Sequence, residues 1–168
     1  FGYWAGYAGA AMSLLAWASQ QSGTPLADVR GVNGADDLKA LIAGALNGQT
    51  PTSLIIGALG RVGTGATDLC EALGLSVTGW DMAETASGGP FPEILRHDIF
   101  LNCILAGPST PIFIPASANT DPRKLSVIGD IACDPDSDFS PLNVYDRATT
   151  WDDPTLRLHD SPPLDVMP

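Results

Sequence analysis

Seven consecutive residues, Gly57-Ala58-Leu59-Gly60-Arg61-Val62-Gly63, carry glycines at a spacing that can hold a diphosphate. The first glycine permits a sharp turn, the second lets main chain approach a phosphate closely, and the third lets a following helix pack on the preceding strand. An anion held there is gripped by backbone N–H groups and the positive end of a helix, with Arg61 placed to add a charge. Asp81 lies about 20 residues further on, where a carboxylate accepts hydrogen bonds from the hydroxyls of an adenosine ribose. A carboxylate in that position repels the extra phosphate of NADP, so the combination points to NAD. The spacing is GxxGxxG rather than the commonest GxGxxG, and the competing reading is a tightened loop in which Asp81 merely caps a turn. The surrounding elements decide between them.

Thr52 to Ile56 is a short apolar run rich in β-branched residues, as expected of a strand buried on both faces of a parallel sheet. From Arg61 to Leu73 the apolar positions take helical spacing, and Gly74 stops the helix. Leu75 to Trp80 reads as a second strand, ending in Asp81. Strand, glycine turn, helix and a strand closed by an acid make the βαβ unit of a nucleotide-binding sheet. Asp98 to Ile104 and Leu125 to Ile131 read as further strands, and Ala35 to Leu46 as a helix with Asp36 and Asp37 in its first turn. Upstream, Phe1 to Ala18 is an apolar helix with Gly2, Gly6 and Gly9 on a flat face, which predicts a long helix packed on all sides and crossing between two domains. Asp134 to Pro141 is an acidic turn, and the remaining residues to Pro168 predict loops with at most short strands. The fold class is therefore α/β, a doubly wound parallel sheet, with residues 1–168 as one domain.

Composition narrows the partners. A net charge of −11 with only eight Lys and Arg leaves no basic patch for nucleic acid and none for an anionic membrane surface. The first apolar run is too short and too rich in glycine for a transmembrane helix, and it lacks the basic start of a secretory peptide. Cys70, Cys103 and Cys133 form no CxxC pair, so they are expected to be buried, reduced thiols of a cytoplasmic protein. Asp130, Asp134, Asp136 and Asp138 lack the glycine and distal glutamate of a calcium loop and read as a solvated acidic turn; no metal is expected. His97 and His159 have no serine context for a hydrolase triad.

Five segments, FGYWAGYAGAA, LIIGALGRVGTGA, WDMAET with GGPFPEI, DIFLNCI and RKLSVIGDIACD, occur in this order. In that order they resemble the second, NAD-binding domain of the NAD-dependent, lysine-forming saccharopine dehydrogenases. The resemblance implies two Rossmann-like domains with the active site between them. It further implies oxidation of saccharopine by hydride transfer to NAD, releasing L-lysine and 2-oxoglutarate, in the aminoadipate pathway of lysine metabolism. It assigns the proton transfers to a Lys and a His of the first domain, so no catalytic residue is expected in these 168 residues and the segment alone is expected to be inactive.

Carried over by position, the resemblance implies that Gly60 and Arg61, within the turn that Gly57 and Gly63 shape, contact the pyrophosphate and that Asp81 and Thr85 contact the adenosine ribose. Leu105 and Ile131 would line the cofactor, and Leu164, Asp165, Val166 and Met167 would form a loop near the nicotinamide. Phe1, Ala132, Cys133 and Asp134 would touch saccharopine. Leu105 stands where the family often has Tyr, Val166 where it often has His, and Val62 replaces a Cys that in some members pairs with the position of Cys103. Two other readings of the same motif remain: a non-catalytic NAD-binding or sensor module, and a methyltransferase using S-adenosylmethionine.

Overall fold

The computed structural model describes residues 1–168, apart from the side chain of Ala116. Helix α1 (Gly2–Ser22) and helix α2 (Ala35–Leu46) precede strand β1 (Ser53–Ile56), helix α3 (Arg61–Ala72) and strand β2 (Val77–Trp80). A one-turn helix α4 (Met82–Thr85) leads on to β3 (Ile99–Asn102) and β4 (Val127–Asp130), and a hairpin of β5 (Leu156–Asp160) and β6 (Pro163–Met167) follows. The six strands form one sheet in the order β2-β1-β3-β4-β6-β5, parallel except for the β5–β6 pair. The chain leaves β1 toward β2 on one side and returns to β3 on the other. This is a Rossmann-like arrangement, and it opens a crevice at the carboxyl ends of β1 and β3.

Side chains alternate across the central strands, as period-two geometry requires. Ile55, Ile99, Leu101 and Val127 face a cluster built with Tyr7, Leu14, Trp17, Ile42 and Leu69 of α1, α2 and α3. Leu54, Ile56, Phe100 and Ile128 face the other way, toward Phe91, Ile94, Phe113, Ile114 and Leu142. The doubly wound expectation is corrected on this second face. Its cover consists of 3-10 turns at Pro92–Arg96 and Ala116–Asn119 with irregular chain, and no long helix lies there. Pro90, Pro92, Pro108, Pro111, Pro115 and Pro122 remove the donors that a helix would need, and aromatic side chains fill the space instead.

A second correction concerns α1, which forms as a helix but is not shown to cross between domains. It lies on the helical face of this sheet, with Trp4, Ala5 and Ala8 exposed on its outer side. Gly2 and Gly6 of its glycine face meet α3, while Gly9 lies against Ile131: a Cβ at Gly6 would collide with the Val62 carbonyl, and a Cβ at Gly65 with the Tyr3 carbonyl. The small residues thus serve a close helix–helix contact within one layer. Among the described residues no helix is long and apolar enough to cross a membrane.

Candidate functional site

The glycine turn stands at the strand-to-helix corner between β1 and α3. Gly57 has a φ of 88°, a conformation that side chains rarely adopt, and its N–H and that of Ala58 both donate to the Trp80 carbonyl at 2.9 and 3.0 Å. Gly60, the residue before the helix, has only the Gly57 carbonyl within reach of an added Cβ, at 3.4 Å. The space over Gly60 is open. Gly63 is the opposite case, because a Cβ there would strike the Gly57 carbonyl and come within 2.6 Å of the Ala58 Cα. Turn, open approach and tight packing thus fall on the three glycines as the spacing predicted.

The donors of this corner fit a diphosphate. Arg61, Val62 and Gly63 are the first three residues of α3, and first-turn amides have no partner within their own helix. Gly60 offers no side-chain cap to them. Arg61 is exposed at the first helical position and joins no ion pair among the described residues.

Asp81 closes β2 on the adjacent strand and faces the turn. Its Oδ2 accepts the Leu59 N–H at 3.1 Å and its Oδ1 accepts the Met82 N–H at 2.9 Å. Glu84 Oε2 accepts the Asp81 N–H at 2.8 Å, which completes a capping box on α4. Asp81 therefore caps a turn, and it stands at the strand end beside the glycines. A carboxylate offers about four lone-pair sites, so two backbone donors leave capacity for a ligand. Thr85 turns its hydroxyl back to the Asp81 carbonyl at 3.0 Å.

Two clefts lie along the carboxyl ends of the strands, and Val62 of the corner lines the first of them. One, of about 230 Å³, is lined by Val62, Leu105, Ile131, Ala132 and Asp134 together with Asn102 and Asp130. The other, of about 610 Å³, holds Gly9, Met12, Ile131, Cys133, Trp151 and Met167. Leu105 is 97% exposed. Phe1 is exposed at the start of α1, and the neighbouring Gly2 lies close to Val62 and Arg61. The fold thus gathers most of the expected residues on one rim.

The segment from Leu164 to Met167 is the exception. It is no loop: it forms β6, paired with β4 so that Asp165 is level with Val127 at the beginning of that strand. Leu164 and Val166 are wholly buried in the core. Asp165 is held by Arg157 Nε at 2.5 Å and Gln20 Nε2 at 2.7 Å. Only Met167 reaches the clefts. The alternation Leu164-Asp165-Val166 is a strand pattern, and the neighbouring prolines hid it.

A buried polar cluster was not anticipated. Asn102 ends β3, Asp130 ends β4, and the two are 0% and 2% exposed. Asn102 Nδ2 donates to Asp130 Oδ1 at 2.8 Å, and the Tyr145 hydroxyl donates to Asp130 Oδ2. Asp130 therefore does not belong to a solvated acidic turn. Burial, followed by the Asp130 hydrogen bond, holds the Tyr145 phenol above its ordinary range. Burial first and Asp130 second push the Cys103 thiol up to about 12, and burial pushes Cys70 up to about 11. Cys133 corrects the expectation of three buried thiols, being exposed at a φ of 46° in the turn after β4.

No family model matches the chain. It is 42% identical over 93% of its length to a Yarrowia lipolytica protein named saccharopine dehydrogenase [NAD(+), L-lysine-forming]. Proteins of the same name from Schizosaccharomyces pombe and Neurospora crassa are each 39% identical to it over 99% of its length. The matched regions are 46%, 50% and 49% of those relatives, so the chain spans about half the length of the curated relatives it matches.

Proposed function

Over the half of those proteins that it spans, the chain belongs to the saccharopine dehydrogenase family, and from that premise we propose that it is the NAD-binding half of a cytoplasmic, lysine-forming saccharopine dehydrogenase. The observation that carries this reading is the pairing of three uncapped first-turn amides at Arg61, Val62 and Gly63 with the Asp81 carboxylate on the neighbouring strand. The amides and Arg61 would hold the diphosphate, and Asp81 the adenosine ribose. Leu105, Ile131 and Met167 would flank the cofactor along the rim, while Phe1, Ala132, Cys133 and Asp134 would meet the substrate.

NAD, when bound, would supply the hydride acceptor for oxidation of the secondary amine of saccharopine to an imine, which water would then hydrolyse to L-lysine and 2-oxoglutarate. The chain's own contribution is to bind and orient. Its helix dipole and amides fix the diphosphate without a reorganisation cost, and its apolar rim would orient the nicotinamide while leaving the oxidised carbon open to water. The proton-transferring Lys and His, and the rest of the substrate pocket, would come from the other half of the longer enzyme.

Calorimetric titration of the 168-residue chain tests the assignment. NAD should bind, S-adenosylmethionine should not, and saccharopine should not be oxidised until the chain is joined to the remainder of such an enzyme. Preference for S-adenosylmethionine, or turnover by the chain alone, overturns it.

A further inference from the structure

We propose that Glu84 is a second determinant of cofactor choice, a carboxylate fixed beside Asp81 that turns away a phosphate on the adenosine ribose. The inference rests on the reading of this corner as an NAD site and extends it to a residue to which the sequence reading gave no role. Asp81 shares its charge with two donors, the amides of Leu59 and Met82. Glu84 uses one oxygen, Oε2, to accept the Asp81 N–H at 2.8 Å. Its charge is thereby anchored to the backbone of the residue that faces the ribose, and it cannot swing freely into solvent.

No cation offsets either group: neither Asp81 nor Glu84 joins an ion pair among the described residues. Two uncompensated carboxylates, three residues apart and linked through the hydrogen bond from the Asp81 N–H to Glu84, form a local negative field where NADP would carry its additional phosphate. That phosphate bears about two negative charges near neutral pH. At the separations that a capping box allows, in a setting close to water, one carboxylate should account for about a five-fold part of the discrimination.

Glu84→Gln isolates the charge, because the glutamine carbonyl can still accept the Asp81 N–H and keep the cap. NAD and NADP are titrated into the 168-residue chain, with competition against NAD extending the measurement to weak NADP binding. The ratio of the NADP Kd to the NAD Kd should fall about five-fold in Glu84→Gln. Glu84→Ala, which also forfeits the cap, should lower the ratio by the same factor even if both ligands bind less well. Asp37→Asn removes an equal charge from the first turn of α2 and should leave the ratio unchanged. An unaltered ratio in Glu84→Gln, or an equal fall in Asp37→Asn, overturns the role of Glu84 while leaving the NAD site intact. Failure of the unsubstituted chain to bind NAD removes the site itself, and this proposal with it.

Discussion

Asp81 Oδ2 accepts the Leu59 N–H at 3.1 Å, so one hydrogen bond ties the end of β2 to the middle of the glycine turn. The carboxylate therefore positions the turn as well as facing the proposed ribose site. Asp81→Ala should lower NAD affinity at least about ten-fold, the range expected when charge-assisted hydrogen bonds are lost. It should also cost about 1 kcal/mol of stability through the lost cap of α4. Titration calorimetry and urea unfolding check the two effects separately; unchanged NAD affinity would contradict the ribose assignment.

The three glycines should separate by function. Gly63→Ala puts a methyl group into the Gly57 carbonyl and should destabilise the fold by about 3 kcal/mol or more, or prevent folding. Gly60→Ala meets only the 3.4 Å contact and should fold normally while losing NAD affinity, because its methyl group occupies the approach to the phosphates. Circular dichroism melts and ligand titrations on both variants test the contrast.

Much of this corner was legible in the sequence. The predicted helix over 35–46 matches α2 residue for residue, since Asp36 and Asp37 mark its start and Asn47 and Gly48 its stop. Each of the four predicted parallel strands is present in trimmed form, because apolar runs extend past the last ladder hydrogen bond. Two features escaped. The strand over Leu164 to Met167 is bracketed by Pro162, Pro163 and Pro168 and lies on the far side of a hairpin. The Asn102–Asp130–Tyr145 cluster joins two strand ends to a loop residue, which no local periodicity encodes. Its one sequence signal was a polar residue closing each of two otherwise apolar strands, at register-paired positions.

Tyr145→Phe should destabilise the protein by about 1–3 kcal/mol, since it leaves the buried Asp130 carboxylate with one donor fewer. It should also change the alkaline limb. A phenol whose pKa is raised on folding binds its proton more tightly in the native state, so its contribution is complete below the unfolded pKa of about 10 and is lost as pH rises through the folded value. Unfolding free energies measured from pH 8 upward should therefore fall more steeply for the unsubstituted chain than for Tyr145→Phe. Parallel curves would count against the raised phenol.

The three thiols should react in two classes. Cys133 is exposed, although burial of its sulfur and then Asp130 and Asp134 raise its pKa, so it should be modified first and faster as pH increases. Cys70 and Cys103 are buried with pKa values up to about 11 and about 12 and should react only at the rate of unfolding. A disulfide-exchange assay should count one accessible thiol in the native chain and three in denaturant. Prior NAD binding should slow the first if Cys133 stands at the occupied rim.

The interlock of Gly6 with Val62 and of Gly65 with Tyr3 has a mechanical result. Sliding either helix along the other would bring side-chain atoms against a backbone carbonyl, so the seam resists a shift of α1 along α3. One end of that seam lies at the first turn of α3, Arg61, Val62 and Gly63. Any shift of α1, a helix of 21 residues, would therefore disturb the first turn of α3, where the phosphate site is proposed.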